Sequence, residues 1–485
     1  MTLLQFQFKQ GILFLFIIPL YLSSLYFLID LRASNIILVA AMIDDPIRVL
    51  RDYIPDAISF HLDLIRGDNP TAFSRFRKVS LSDLLLQMLN RQGKTQWAEV
   101  KELYGFMNTK ANVTEKGFFL ARRKFNPEAV RVMANEYIAN VYDNYDDSMI
   151  KWNGLLILAI DGSKVTVPST KENEEYFGKI KGSSPVQPCM ALMSTLHDTL
   201  NNLKLDIQVD DIRGSERELA SKHIDHYCDN YAQSALFTFD RGYISIRLID
   251  QIISKKQYFL FRVDKQAYKR YFDQVGIGED KEFEVTFDRI STNEYREDRQ
   301  FRLHLMNTTY KIRFAKVVIG KDEDGNDIVE YLMTNLPKDL FDTDDLKECY
   351  WRRWQIESSY GRSKNRMKLE EFSGYKPELI LQDFYADMWV YNLVSLKIIY
   401  ANEHKPVEQG NGKYIIKRNF NKAVGTLKHL LLNALVSDTE EERNKALEII
   451  SMNIESNLTW IKDEDRQFER KTAVNKSKIS YRKTY

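Results

Sequence analysis

Leu155-Leu-Ile-Leu-Ala-Ile-Asp161-Gly162-Ser163 is the stretch on which the fold turns. Six apolar residues in succession have the length of a strand, and a run without polar alternation suits a strand buried on both faces. The run stops at an aspartate followed by glycine. A second run, Ala235-Leu-Phe-Thr-Phe-Asp240-Arg-Gly242, repeats the plan. At the carboxyl ends of sheet strands, side chains leave the core and ligands gather. A carboxylate placed there can hold a hard divalent cation. Taken alone, each Asp-Gly is also what an ordinary turn looks like.

The neighbouring segments complete a mixed α/β core. Residues 165–168 read as a short strand or turn. Residues 190–196 and 203–209 read as two strands joined by a turn, 216–227 as a helix, 244–254 as a helix and 258–263 as a strand. Between 280 and 335 the pattern alternates: Phe283, Val285 and Phe287, then Phe301, Leu303 and Leu305, then Ile312 and Phe314. Asp324-Gly325-Asn326 is a hairpin signal between 317–319 and 328–333. This stretch is expected to be an all-β insertion. A long helix is expected over 343–371. Gly374 and Pro377 end it, and a second helix runs to about residue 401.

Ahead of Trp152 the text is helical. Ser80 caps a helix whose Leu81, Leu84, Leu85, Met88 and Leu89 form a stripe. A second helix fits 96–106, and Pro127 opens another over 128–142. The expected division is an apolar extension at 1–41 and a helical DNA-end-binding domain at 42–150. A catalytic core follows at 151–265 and 340–402, with a β-rich insertion at 266–339. A helical region at 403–465 and a basic tail at 466–485 close the chain.

Bulk properties narrow the field. The 485 residues allow two to four domains, and a net charge of +1 leaves room for a local basic groove without announcing one. Three scattered cysteines, Cys189, Cys228 and Cys349, do not make a disulfide framework and fit a reducing, cytoplasmic setting. The apolar run 11–28 is long enough to be a membrane-span candidate. The preferred reading is that residues 1–41 lie upstream of a start at Met42; a membrane anchor and a signal peptide are the rivals. No phosphate-binding loop or dinucleotide fingerprint is present, so no nucleotide cofactor is expected. His223-x2-His226-x-Cys228 has metal-site spacing but is expected on a surface helix without a completing pair. The acidic 322–327 stretch reads as a hairpin turn.

The third element is Tyr350-x2-Arg353-x3-Glu357-x6-Lys364. At about 100° per residue these four fall within a sector of roughly 60° on one helix. That face offers a phenol, two cations and a carboxylate. The carboxylate can complete a metal site, and the cations can hold phosphate oxygens. The plain alternative is an exposed face on which Arg353 and Glu357 form an i, i+4 pair.

This spacing resembles the Y-R-E-K signature of bacterial insertion-sequence transposases of the IS-four type, DDE enzymes with a ribonuclease-H-like core. Asp161 in Ala-Ile-Asp-Gly-Ser is similar to the family's first aspartate, and Asp240 in Phe-Asp-Arg-Gly-Tyr to its second. The resemblance covers about residues 70–400. It implies an α/β, ribonuclease-H-like mixed sheet interrupted by the β insertion and flanked by helical regions. It implies metal-dependent cut-and-paste transposition: DNA strand cleavage and strand transfer, with Mg2+ held by Asp161, Asp240 and Glu357, and Mn2+ able to substitute. Tyr350, Arg353 and Lys364 are then expected on DNA. The partners are transposon ends and target DNA, and a homodimer is expected in the synaptic complex. Rival readings are an inactive DNA-binding relic and a metal-dependent nuclease without strand transfer. In one respect the chain departs from the family. Hairpin-forming relatives stack a tryptophan of the insertion on a flipped base, and no Trp lies between Trp152 and Trp351, leaving Tyr295 or Tyr310 as the aromatic.

Overall fold

A computed structural model describes residues 6–8, 11–13, 43–75, 77–106, 113–179, 187–322, 324–409 and 414–462. The chain divides into two units, 1–42 and 43–485. In the first, the described residues are two short antiparallel strands, Phe6–Phe8 and Gly11–Leu13. Beyond residue 13 the span candidate 11–28 lies outside the described residues, as does the tail from 463. Among the described residues, no helix is long and apolar enough to cross a membrane.

The second unit is built on one eight-stranded sheet. Its strands are β1 (Leu156–Thr166), β2 (Met190–Asp198), β3 (Leu203–Asp211), β4 (Ala235–Phe239), β5 (Tyr258–Arg262), β6 (Asp280–Thr286), β7 (Thr309–Lys321) and β8 (Asp327–Thr334). The order is β3-β2-β1-β4-β5-β8-β7-β6. The first three strands form an antiparallel meander, and β4 and β5 run parallel to β1. This 3-2-1-4-5 arrangement, with helices on both faces, is the ribonuclease-H-like core. β8 pairs antiparallel with β5, so the insertion extends the core sheet.

Burial on both faces follows from the unbroken apolar runs. Leu156, Leu158, Phe237, Phe239, Phe259 and Phe261 join the main core, while Ile157, Leu236 and Leu260 join a second cluster. Alternate residues thus serve opposite faces. The second cluster is closed by Leu346, Cys349 and Tyr350.

Ahead of the sheet lie α1 (Pro46–Phe60), α2 (Leu81–Leu89), α3 (Gln96–Phe106), α4 (Glu115–Arg122) and α5 (Pro127–Asn144). Ser80 caps α2 through a reciprocal pair of bonds with Asp83, and Pro127 opens α5 at its first turn. Next come α6 (Glu216–Asn230), α7 (Ile246–Ser254), α8 (Arg299–Asn307), α9 (Thr343–Arg352), α10 (Gln355–Asn365), α11 (Pro377–His404), α12 (Phe420–Val436) and α13 (Glu440–Ser456). The buried α11 anchors the helical flank: Asp383 on it accepts from Arg122 of α4 at 2.6 Å with both side chains fully buried.

Four expectations need correction. The strand expected through Phe301 and Leu305 is helix α8, because Asp298 caps the Phe301 N–H and the two apolar residues share one helical side. The strand ending at Ile160 and the separate element at 165–168 are one strand, β1, since pairing with β2 runs on through Asp161↔Thr195 and Gly162↔Ser194 to Thr166↔Met190. The long 343–371 helix is two helices, α9 and α10, broken at Arg353–Trp354. The 403–465 region is not purely helical: Tyr414–Arg418 pairs antiparallel with Leu458–Lys462.

Candidate active site

The two strand-end aspartates meet. β1 pairs with β4 in parallel up to Ala159↔Thr238. Two residues further along each strand stand Asp161 and Asp240. β4 ends at Phe239, and Asp240 then turns the chain, its Oδ1 accepting the Gly242 N–H at 2.7 Å.

α10 is tied to β1 turn by turn. The Arg353 guanidinium at its head lies 4.0 Å from Asp161 Oδ2 and 3.5 Å from Glu357 Oε1. One turn beyond Glu357, the Tyr360 hydroxyl donates to the Asp161 carbonyl oxygen at 2.5 Å. One more turn on, Lys364 Nζ donates to Ser163 Oγ at 2.9 Å and to the Lys164 carbonyl at 2.6 Å. Glu357 and Lys364 share a side of α10, as their spacing predicts, and Arg353 lies in the break ahead of it.

Electrostatics mark the centre of the site. The Asp161 carboxyl is raised to about 7, first because burial disfavours its charge. Asp240 and Glu216 push it the same way, while Arg353 and the Gly162 N–H oppose them. Glu357 is half exposed, whereas the Arg353 side chain is 4 % exposed. Arg353 also stacks on Trp354, its guanidinium carbon 4.8 Å from the ring centre. It therefore serves as the counter-ion of an acidic pocket. The pairing of Arg353 with Glu357, the plain reading of the spacing, is present alongside it.

Two of the expected DNA-contact residues are not presented to solvent. Tyr350 is 2 % exposed and packs in the second cluster with Ile157, Leu260 and Leu346. The break at Arg353–Trp354 ends its shared phase with α10, so it faces the sheet. Arg353 is buried beside the carboxylates. Lys364 is half-buried and keeps partial access to solvent. Tyr310 is buried and donates to Asp250 at 2.8 Å, which removes it from base stacking; Tyr295 stays half-buried beneath the Arg247 guanidinium.

The donor set suits a hard divalent cation: carboxylate oxygens close enough for mutual repulsion to matter. Asp161 and Asp240 stand side by side at the strand ends, and Arg353 lies between Asp161 and Glu357. Among the described residues, no three His, Cys, Asp or Glu side chains already converge at ligating distance. Arg353 stands where the charge of a cation would act, between Asp161 and Glu357. The His223 motif is no metal site. Contrary to the surface expected for it, His223 is fully buried, and its ring nitrogens meet Asp206 at 2.8 Å and Ser194 at 3.1 Å.

Sequence reasoning missed three residues here. Tyr360 was detectable, because it sits three residues after Glu357 on the same side. Glu216 and Arg217 were not: acidic and basic residues in the first turn of a helix ordinarily signify only capping and solvation.

Comparison with known proteins finds transposases. The family described as "Transposase DDE domain" matches residues 152–393. The chain is 24% identical over 319 residues to the transposase InsG for insertion sequence element IS4 of Escherichia coli (strain K12), covering 64% of this chain and 66% of that relative. It is 33% identical over 69 residues to the putative transposase InsL for insertion sequence element IS186A of the same organism, covering 14% of this chain and 17% of that protein. Among solved structures, the piggyBac transposase synaptic complex with hairpin DNA matches 85% of this chain and 86% of that chain, at 11% identity and a TM-score of 0.39.

Proposed function

The chain belongs to the family of DDE transposases, and from that premise we propose that it cleaves and joins DNA in the cut-and-paste transposition of an insertion sequence. The observation that carries this reading is the meeting of Asp161 and Asp240 at the end of the β1–β4 pairing, with the Glu357 helix bound along β1.

Asp161, Asp240 and Glu357 are the residues that would hold Mg2+, or Mn2+ in its place. Divalent ions there would supply Lewis acidity for the in-line displacement at phosphorus of a bridging ester oxygen by the oxygen of water or of a free 3′-hydroxyl. The chain's own groups prepare that chemistry. Tyr360 fixes the Asp161 backbone, and Lys364 locks α10 to β1, so Glu357 is held at a set distance from the aspartates. Arg353 offsets the acidic charge, its guanidinium lying beside the Asp161 and Glu357 oxygens that would hold a cation. The substrate is DNA carrying the element's ends, then target DNA. Two ends brought together call for two copies of the chain, the homodimer that the family resemblance implies.

The test is an end-bearing duplex assayed for binding, cleavage and joining in Mg2+ or Mn2+. The intact chain should do all three. Asp161→Asn, Asp240→Asn and Glu357→Gln should bind the duplex and leave it uncut, because phosphate contacts elsewhere carry the binding. A mutant that cuts at the rate of the intact chain removes its residue from the site. Cleavage without joining would turn the reading to a nuclease, and binding without cleavage by the intact chain to a relic.

A further inference from the structure

The first turn of α6 reaches both strand-end motifs, Asp161-Gly162 and Asp240-Arg241-Gly242. A Cβ built on Gly162 would lie 2.9 Å from Glu216 Cδ and 3.0 Å from its Oε1, so the carboxylate rests against the backbone next to Asp161 only because residue 162 is glycine. The neighbouring Arg217 donates from Nε to the Gly242 carbonyl at 3.1 Å, two residues past Asp240. One helical turn thus holds an acid on the first motif and a clamp on the second.

A buried phenol points to the same place. Tyr243 is 1 % exposed, and its hydroxyl is turned to the Glu216 carboxylate. Burial above all raises its pKa far beyond the usual phenol range, and the charges of Asp161 and Glu216 add to the effect. A neutral donor is therefore enclosed beside two acids.

We propose that Glu216 is a fourth carboxylate of the cation site, seated by Gly162 and backed by Tyr243. The inference rests on the metal-dependent reading above. It adds an oxygen ligand from α6 to those of β1, β4 and α10, on a carboxylate that the buried Tyr243 hydroxyl backs. The cation recognised is hard, divalent and oxygen-seeking.

The experiment is a Mn2+ titration of the full chain without DNA, read by the loss of the free-ion paramagnetic resonance signal. Glu216→Gln should weaken Mn2+ binding by about ten-fold or more, the scale on which supporting groups at metal sites act. Gly162→Ala should do the same, because the added methyl displaces a flexible carboxylate at a position whose backbone tolerates alanine. Combining the two should add little. Glu218→Gln removes an equal charge from the same turn, where its side chain is exposed, and should leave the affinity unchanged. If Asp161→Asn weakens binding while Glu216→Gln does not, or if Glu218→Gln weakens it equally, the fourth-ligand assignment falls and the metal-dependent reading stands. If neither Asp161→Asn nor Glu216→Gln changes the titration, both fall together.

Discussion

The Arg353 guanidinium lies 4.0 Å from the Asp161 carboxylate and is almost wholly withdrawn from solvent. It was expected on the sequence to grip phosphate, and its position makes it a counter-ion instead. Arg353→Ala should therefore leave the salt dependence of DNA binding unchanged while altering Mn2+ affinity in the DNA-free protein. Lys364, half-buried and bound to Ser163 and Lys164, keeps access to solvent, so Lys364→Ala is expected to lower the salt slope by about one unit. Equal changes in slope for the two variants would return Arg353 to the DNA interface.

The pH dependence of stability follows from Asp161. Its carboxyl is raised to about 7 in the folded chain, from the ordinary value of 3.8. A raised acid favours the folded state while it is protonated, and that contribution is lost as pH climbs from about 4 through about 7. Without metal, Asp161→Asn should be more stable than the parent above neutral pH, by on the order of 1–3 kcal/mol given ~1.4 kcal/mol per unit and partial solvent access. The advantage should vanish below pH 4, about where the free carboxyl titrates. Denaturant midpoints at pH 4 and pH 8 decide the matter; a constant difference would show that burial of the charge is not what Asp161→Asn relieves.

The aromatic question in the insertion reduces to one residue. Tyr310 is buried against Asp250, while Tyr295 lies half-buried with Arg247 above it at 5.2 Å. Tyr295→Ala should reduce any hairpin product on an end-bearing duplex and spare the first nick, because stacking acts on the displaced base and not on the metal site. Tyr310→Phe should leave both products unchanged and lower only stability. Loss of the first nick in Tyr295→Ala would show that the residue serves the fold or the cleavage centre.

What the sequence disclosed follows the range of the interactions. The apolar runs before Asp161 and Asp240 were legible because burial on both faces removes polar alternation. The Ser80 and Pro127 helix starts were legible because capping is local. The 299–307 segment was misread: Phe301 and Leu305 fit either period, and the decision rests on the Asp298 cap and on packing. The break at Arg353–Trp354 carries no proline or glycine, so nothing local marked it. Glu216 joins the site from about fifty residues away along the chain, through a contact that only the β1–α6 packing creates.

The helical flank tests how far the parts of this chain are separable. Residues 42–150 were expected to form an end-binding domain of their own, yet Arg122 is fully buried and its partners come largely from beyond the sheet. It donates to Asp383 at 2.6 Å, to Gln382 at 2.8 Å and to Ser373 at 2.6 Å, with Gln87 at 2.9 Å the one bond within the flank. A buried guanidinium without its carboxylate is an uncompensated charge, and breaking such a pair costs about 3–5 kcal/mol. Asp383→Asn should therefore destabilise the full chain by about that amount, and Arg122→Met, which removes the charge together with its need for partners, by less if Asp383 is replaced with it. The same reasoning predicts that a fragment ending near residue 150 will not fold alone, since it leaves Arg122 exposed with the apolar sides of α1, α2 and α5 that pack on α11. Circular dichroism and chemical denaturation of the fragment, alongside the Arg122 and Asp383 variants, read the outcome. A cooperatively unfolding fragment that still binds element ends would show that the flank is autonomous and that the Arg122–Asp383 pair only docks it.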